Sequence, residues 1–256
     1  MRFRILNIIF IVLILLWILA DHHFNFGRSW YGWLLLLYLI ILFCGTYFIQ
    51  WGFFLRSVNS VKTNKPYIAL SFDDGPDARQ TQKLLDILKD NDTKAVFFCI
   101  GRKIQGNEAI LERMVREGHI IGNHSFTHNT FFDLYSSGRM TEELKATNLA
   151  IHHATGLSPL FFRPPYGVTN PNLAKSVKNG GFTSIGWSIR SFDTVIRDEE
   201  KLLKRILGSL KPGAILLLHD TCEITLAILP RLLAGIRQAG YKTERLDKMI
   251  NLNPYA

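Results

Sequence analysis

Apolar and polar positions divide the chain into an N-terminal part with two long apolar runs and a larger part in which short apolar runs alternate with amphipathic ones. Ile5 to Ala20 is a run of 16 residues broken only by Asn7, set between Arg4 and Asp21. It falls a little short of the roughly 20 residues that cross a bilayer, a deficit that snorkelling flanks can cover. A second run, Trp30 to Leu55, carries aromatics at both ends: Trp30, Tyr31 and Trp33, then Tyr47, Trp51, Phe53 and Phe54. Such belts anchor a helix at the two interfaces of a membrane. The pattern predicts two spans, about 5–20 and 30–52, within a membrane anchor over 1–56. A linker over 57–66 and a folded domain over 67–256 follow. A cleavable signal peptide is the alternative for the first run, but no small-residue cleavage site follows it, and the second run would remain as an anchor.

From Tyr67 onward the period changes. Strands are expected at 67–72, 94–100, 119–123, 160–163, 182–189, 214–219 and 241–244, with helices at 80–90, 107–117, 141–155, 170–179, 198–210 and 224–239. Leu84, Leu85 and Leu88, and likewise Ile110, Leu111 and Met114, recur at helical spacing. Asn170-Pro171 reads as an N-cap with Pro at the first helical position, and Gly240 as a helix stop. Seven strands separated by helices predict a parallel α/β fold, either a barrel or an open sheet.

Charge sharpens this picture. Residues 1–66 hold six Lys/Arg and one Asp, a net of +5; residues 67–256 hold 24 Lys/Arg and 20 Asp/Glu, which brings the chain to +9. The basic excess therefore flanks the apolar runs, and no basic stripe interleaved with aromatics argues for nucleic-acid binding. Arg2 and Arg4 precede the first run, Arg56, Lys62 and Lys65 follow the second, and the connecting loop holds only Arg28. The positive-inside rule then predicts a multi-pass protein of the cell membrane, with both termini and the large domain on the cytoplasmic side. The extracytoplasmic side is the alternative. Cys44, Cys99 and Cys222 form neither a disulfide framework nor a cysteine metal motif.

Polar residues gather at or just past the C-terminal ends of the expected strands, the edge where parallel α/β folds build active sites. Ser71 to Pro76 (SFDDGP) closes the first strand with two carboxylates and a turn. Asp73 and Asp74 should face opposite ways unless the chain turns between them. His124 and His128 are four apart; on a helical turn both would project to one side and, with Asp74, make a 2-His-1-carboxylate metal set. Oxygen and nitrogen donors suit zinc, and also cobalt, nickel, manganese or iron. His22, His23, His119, His152 and His153 read as structural. In Phe162 to Gly167 (FRPPYG), Arg163 can hold one carboxylate of the Asp pair ionised, as a general base needs. The apolar strand Ile215 to Leu218 ends in His219, a candidate general acid, with Leu217 lining an apolar pocket. Asp220 reads as a cap or turn residue.

The ordered set SFDDGP, HSFTH, FRPPYG, WSIRSFD and LLLHD resembles the five motifs of the polysaccharide deacetylases, the NodB-homology domain of carbohydrate esterase family 4, over about residues 65–250. The resemblance implies a distorted (β/α)7 barrel and metal-assisted hydrolysis of an N- or O-acetyl group on a sugar. Carried over, it makes Asp73 the general base, and Asp74, His124 and His128 the ligands of a divalent metal, zinc foremost. Arg163 would position Asp73, the backbone N–H of Tyr166 would help hold the oxyanion, Trp187 and Leu217 would line the acetyl pocket beside Pro165, and His219, oriented by Asp193, would be the general acid.

The fourth motif departs from the family's Asp-x-x-Asp-Trp. Arg190 stands where the first acid is usual and Thr194 where the Trp is usual, while Asp193 is kept. A cation facing the groove at Arg190 suits an anionic substrate. The resulting expectation is a membrane-anchored deacetylase of a cell-envelope glycan such as peptidoglycan. The alternatives are a deacylase or deformylase of a lipid-linked sugar at the inner leaflet, and an inactive glycan-binding protein that keeps the fold. Asp73, Asp74, His124, His128 and His219 are all present, which weighs against the last.

Overall fold

The computed structural model describes residues 2–24 and 29–256. Helix α1 (Arg2–Phe24) contains the first apolar run, and helix α2 (Ser29–Tyr47) the larger part of the second. They meet through Phe10 stacked on Tyr38 (ring centroids 4.2 Å apart), and the Tyr38 hydroxyl donates to Asn7 Oδ1 at 2.9 Å, which gives the one polar residue of the first run a partner. Most of their large apolar side chains, such as Ile8, Leu16, Trp33 and Phe43, are exposed. The loop expected over residues 21–29 is helical as far as Phe24, and its residues 25–28, with Arg28, lie outside the described residues.

The second run does not continue as one helix to residue 52. It ends at Tyr47, and Ile49–Trp51 form a 3-10 turn closed by Gly52 at φ +55°, a conformation glycine adopts without a Cβ penalty. The 57–66 stretch is no free linker either. Val58 bridges Ile185 and Ser60 bridges Ala214, so it is stitched to the sheet.

The sheet is built from β1 (Tyr67–Asp73), β2 (Ala95–Cys99), β3 (Ile120–Asn123), β4 (Phe161–Phe162), β5 (Thr183–Ser184), β6 (Ile189–Arg190), β7 (Ala214–His219) and β8 (Lys242–Thr243). All pairings are parallel, in the order β5-β4-β3-β2-β1-β7-β6, with β8 on β1. Helices α3 (Gln80–Asp90), α4 (Glu108–Arg116), α5 (Ser137–Thr155), α6 (Pro171–Asn179), α7 (Glu199–Leu207) and α8 (Glu223–Gln238) alternate with the strands, and α9 (Leu246–Ile250) follows β8. The single strand expected over 182–189 is two short ones at opposite ends of this order. Residues 185–188 cross between them, so the sheet curls into an incomplete barrel rather than a closed one.

Strand alternation sorts the core. Ile68, Leu70 and Phe72 of β1 and Leu216 and Leu218 of β7 pack outward in one cluster with Leu84, Leu88, Leu202 and Leu232 of the surrounding helices. Ala69, Val96, Phe98, Ile120, Phe161 and Ile215 fill the inside. Towards the C-terminal end the inward positions turn polar, from Ala69 through Ser71 to Asp73 and from Ile215 through Leu217 to His219. That gradient places the site.

Candidate active site

Asp73 and His219 are register partners on β1 and β7, so strand pairing alone brings a carboxylate and an imidazole to the same edge. Asp74 breaks the alternation with φ +76°, and both acids of the pair thereby face one cavity. Gly75 is required by close approach: a Cβ there would lie 2.0 Å from Asp220 Oδ2.

His124 and His128 reach the same cavity without the expected helical turn. Ser125 and His128 take left-handed backbone, at φ +62° and +48°. The loop wraps the buried carboxylate of Glu143, which accepts from the Phe126 and Thr127 amides at 3.0 and 2.7 Å and from the Thr127 hydroxyl. Asn123 Oδ1 accepts from the Ser125 amide. Sequence reading passed over Glu143 because its signal is only a carboxylate on the buried side of a helix.

The donors fit a divalent cation. Asp74 Oδ1 lies 3.5 Å from His124 Nε2 and 3.4 Å from His128 Nε2, and one donor atom from each residue falls within 4.8 Å of the others. His124 Nδ1–H donates to the Arg163 carbonyl at 2.8 Å, which leaves Nε2 as the donor lone pair. Burial, then the neighbouring His124, pushes His128 down to about 4, so its imidazole is neutral at pH 7, the form a metal takes. Burial acts to raise Asp74, but the hydrogen bond and charge of His124, with His219 and His128, hold it well below the usual carboxylate range. Soft thiolate is absent from this trio, in keeping with zinc or another first-row divalent ion.

Asp73 is fixed from behind. Arg163 is fully buried and its Nη1 donates to Asp73 Oδ1 at 2.7 Å and to Ser71 Oγ at 2.8 Å. Its Nε and Nη2 donate to the carbonyls of Ile185 and Gly186, and the guanidinium lies 4.2 Å over the Phe98 ring. Burial lowers the Arg163 value and Asp73 offsets part of that, leaving a cation at any working pH.

On the facing side, His219 Nδ1–H donates to Asp193 Oδ1 at 2.8 Å, and the His219 amide donates to Oδ2 at 2.7 Å. Ser191 and Thr225 hydroxyls donate to the same carboxylate. Burial acts to lower the imidazole, but the hydrogen bond and charge of Asp193, aided by Asp73 and Asp74, raise it to about 9. His219 is therefore protonated at neutral pH with Nε2 left for the cavity. Cys222 also approaches this pair, yet Asp193 is already saturated by donors and burial first, then Asp193, raises the thiol to about 12, so these three residues suit a second metal site poorly.

The cavity, about 270 Å³, is lined by Asp73, Asp74, His124, His128 and His219, and by Tyr166, Gly167, Trp187, Arg190, Thr194 and Leu217. Tyr166 sits half exposed at the rim with φ +59°. Pro165, expected beside them, is buried under this loop and does not line the cavity. Arg190 lies over the rings of Phe192 (4.9 Å) and Trp187 (5.9 Å). Asp220 is more than a turn residue: it is buried, takes the Thr81 hydroxyl at 2.6 Å and underpins Gly75.

Comparison with known proteins agrees with this geometry. A family model described as polysaccharide deacetylase matches residues 60–185. The peptidoglycan-N-acetylglucosamine deacetylase PgdA of Listeria monocytogenes is 34% identical over 192 residues, 75% of this chain and 40% of its own, so the chain spans about two fifths of that relative. A peptidoglycan-N-acetylglucosamine deacetylase of Bacillus cereus is 36% identical over 185 residues, 68% of this chain and 67% of that one. Among solved structures, the Bc1960 peptidoglycan N-acetylglucosamine deacetylase superposes with a TM-score of 0.74 at 28% identity, covering 77% of this chain and 94% of its own. BA3943 of Bacillus anthracis, described as a pseudoenzyme of carbohydrate esterase family 4, superposes with 0.69 at 28% identity over 75% and 68%.

Proposed function

This chain belongs to the polysaccharide deacetylase family, and from that premise we propose that it hydrolyses the N-acetyl group of an amino-sugar glycan, with peptidoglycan N-acetylglucosamine as the substrate. The observation that carries the reading is the placement of two independent proton-handling pairs, Asp73–Arg163 and His219–Asp193, on either side of the Asp74–His124–His128 trio in one cavity. A scaffold that had lost chemistry would not need to retain both.

The residues divide the work. Asp74, His124 and His128 would hold a divalent cation, zinc foremost, which when bound supplies polarisation of the acetyl carbonyl and a more acidic water. Asp73, oriented by its ion pair with Arg163, takes the proton of the attacking water. The Tyr166 backbone N–H donates to the oxyanion of the tetrahedral intermediate. Trp187 and Leu217 enclose the acetyl methyl. His219 Nε2–H protonates the departing amine, and Asp193 stabilises the cationic imidazole until it does.

Membrane attachment is the companion reading. Helices α1 and α2 are long and apolar enough to cross a bilayer, and they expose more apolar side chain than water tolerates in one patch. Resistance to carbonate extraction supports it; release into the soluble fraction contradicts it.

The test of the reaction is acetate release from peptidoglycan and from chitooligosaccharide by the full chain loaded with zinc or cobalt. Loss in Asp73→Asn and His219→Ala supports the assignment; no acetate from either substrate with either metal contradicts it.

A further inference from the structure

The wall of the acetyl pocket has a layer behind it that comes from outside the residues matched to the family, which begin at residue 60. Ile49, in the turn after α2, is 1% exposed and packs in one buried cluster with Trp187 and Leu217. Its neighbour Gln50 donates from Nε2 to the Trp187 carbonyl at 3.2 Å. On the cavity side, a Cβ on Gly167 would fall 2.3 Å from the Trp187 ring, so the indole has no slack there. A Cβ on Gly186 would lie 3.4 Å from Ile49 Cδ1, so the chain before Trp187 touches Ile49 as well.

The turn that carries Ile49 is itself held. The Thr169 amide, just past Tyr166 and Gly167, donates to the Thr46 carbonyl at 3.0 Å. The Gly186 amide donates to the Val58 carbonyl at 2.9 Å, and Val58 donates back to Ser184 at 2.8 Å. The segment between the apolar helices and the sheet thus touches both walls of the acyl pocket.

We infer that Ile49 and Gln50 are positioning residues for Trp187, and that together they set the depth of the acyl pocket and hence the length of acyl group accepted. The inference rests on the deacetylase reading above. Protein interiors are packed to near-crystalline density, so the indole cannot recede while Ile49 fills the space behind it. Cutting Ile49 to Ala opens a void there, and the ring can tilt into it. Rejection of one extra methylene is worth about 10- to 200-fold in a tight apolar pocket, so this is the quantity that should collapse.

The experiment compares kcat/KM of the full chain on N-acetyl and N-propionyl chitooligosaccharide of equal length. Ile49→Ala is expected to raise the propionyl-to-acetyl ratio about tenfold, chiefly through KM for the propionyl substrate. Gln50→Ala, which leaves the apolar contact intact, should raise it less, and Ile49→Val should stay near wild type. A folded Ile49→Ala in which both activities fall in proportion and the ratio holds overturns the inference. A second readout does not need turnover: the Trp187 resonance in fluorine NMR of the 5-fluorotryptophan-labelled chain, assigned with Trp187→Phe. It should move in Ile49→Ala and Gln50→Ala; an unmoved resonance also overturns the inference. A wild type inactive on every acyl group sinks the deacetylase reading instead, and the resonance still decides whether Ile49 seats the ring.

Discussion

Asp73 and His219 stand opposite each other in the register of β1 and β7, so the proposed base and acid are neighbours by strand pairing and not by loop placement. Each is then fixed by a partner from elsewhere, Arg163 for the one and Asp193 for the other. Main-chain hydrogen bonds hold the separation of the two groups, and the partners fix their orientation.

Arg163 is the most exacting residue in the site, because four of its five side-chain N–H donors are used in the interior. Removing one member of a buried ion pair leaves the other charge uncompensated, at a cost of about 3–5 kcal/mol. Arg163→Met should therefore lower the melting temperature sharply and abolish activity. Adding Asp73→Asn to it should recover part of the stability and none of the activity. A melting curve that ignores Arg163→Met contradicts the pairing.

The His219–Asp193 pair gives a pH signature. The folded imidazole lies near 9, above its ordinary 6.5, so the pair stabilises the native chain fully below about 6.5, and that contribution fades as pH rises through about 9. As a general acid His219 must be protonated, so activity should fall over the same alkaline range. A cation at Asp74 offsets the part contributed by Asp73 and Asp74 and brings the limb somewhat below 9. Asp193→Asn should move that limb towards or below 6.5 and reduce the maximal rate. An alkaline limb that stays in place in Asp193→Asn removes His219 from the role.

Asp220 works in the opposite sense. Burial first, with Asp74 adding, raises its carboxyl to about 7, against the Thr81 hydrogen bond, and Oδ1 has no partner among the described residues. The charged form is disfavoured in the fold, so its penalty begins near the ordinary 3.8 and is complete above about 7. Asp220→Asn should raise the melting temperature at pH 8, and the gap should close towards pH 4. A stabilisation equal at both pH values contradicts this.

Arg190 lies at the cavity with no carboxylate within ion-pair distance among the described residues. Its cation is available to a charged substituent on the glycan. Arg190→Ala should lower kcat/KM about tenfold on a glycan with an anionic group near the acetamide, as an exposed-to-half-buried charge contact of about 1.4 kcal/mol implies, and should spare a neutral one. Equal loss on both contradicts the reading.

Much of this was legible in the chain. The strand ends and most helices follow from apolar spacing, and Asp73, Asp74, His124, His128, Arg163 and His219 declare themselves by clustering at those ends. What stayed hidden needed three dimensions. The HxxxH spacing suggested a helical turn, but Glu143, fifteen residues past His128, supplies the acceptor that the loop closes around. The run at 182–189 read as one strand because its composition is continuous, yet residues 185–188 carry the chain from one sheet edge to the other. Ile49 looked like the tail of an apolar run, since nothing local distinguishes a residue facing lipid from one seated behind Trp187.

The most direct test of the account is the metal content of the purified full chain after equilibration with zinc and removal of excess, beside His128→Ala treated identically. The account predicts about one tightly held zinc per wild-type chain and loss of that ion in the variant, with both proteins folded. No retained metal in a folded wild type, with zinc or with cobalt, nickel or manganese in its place, would contradict it.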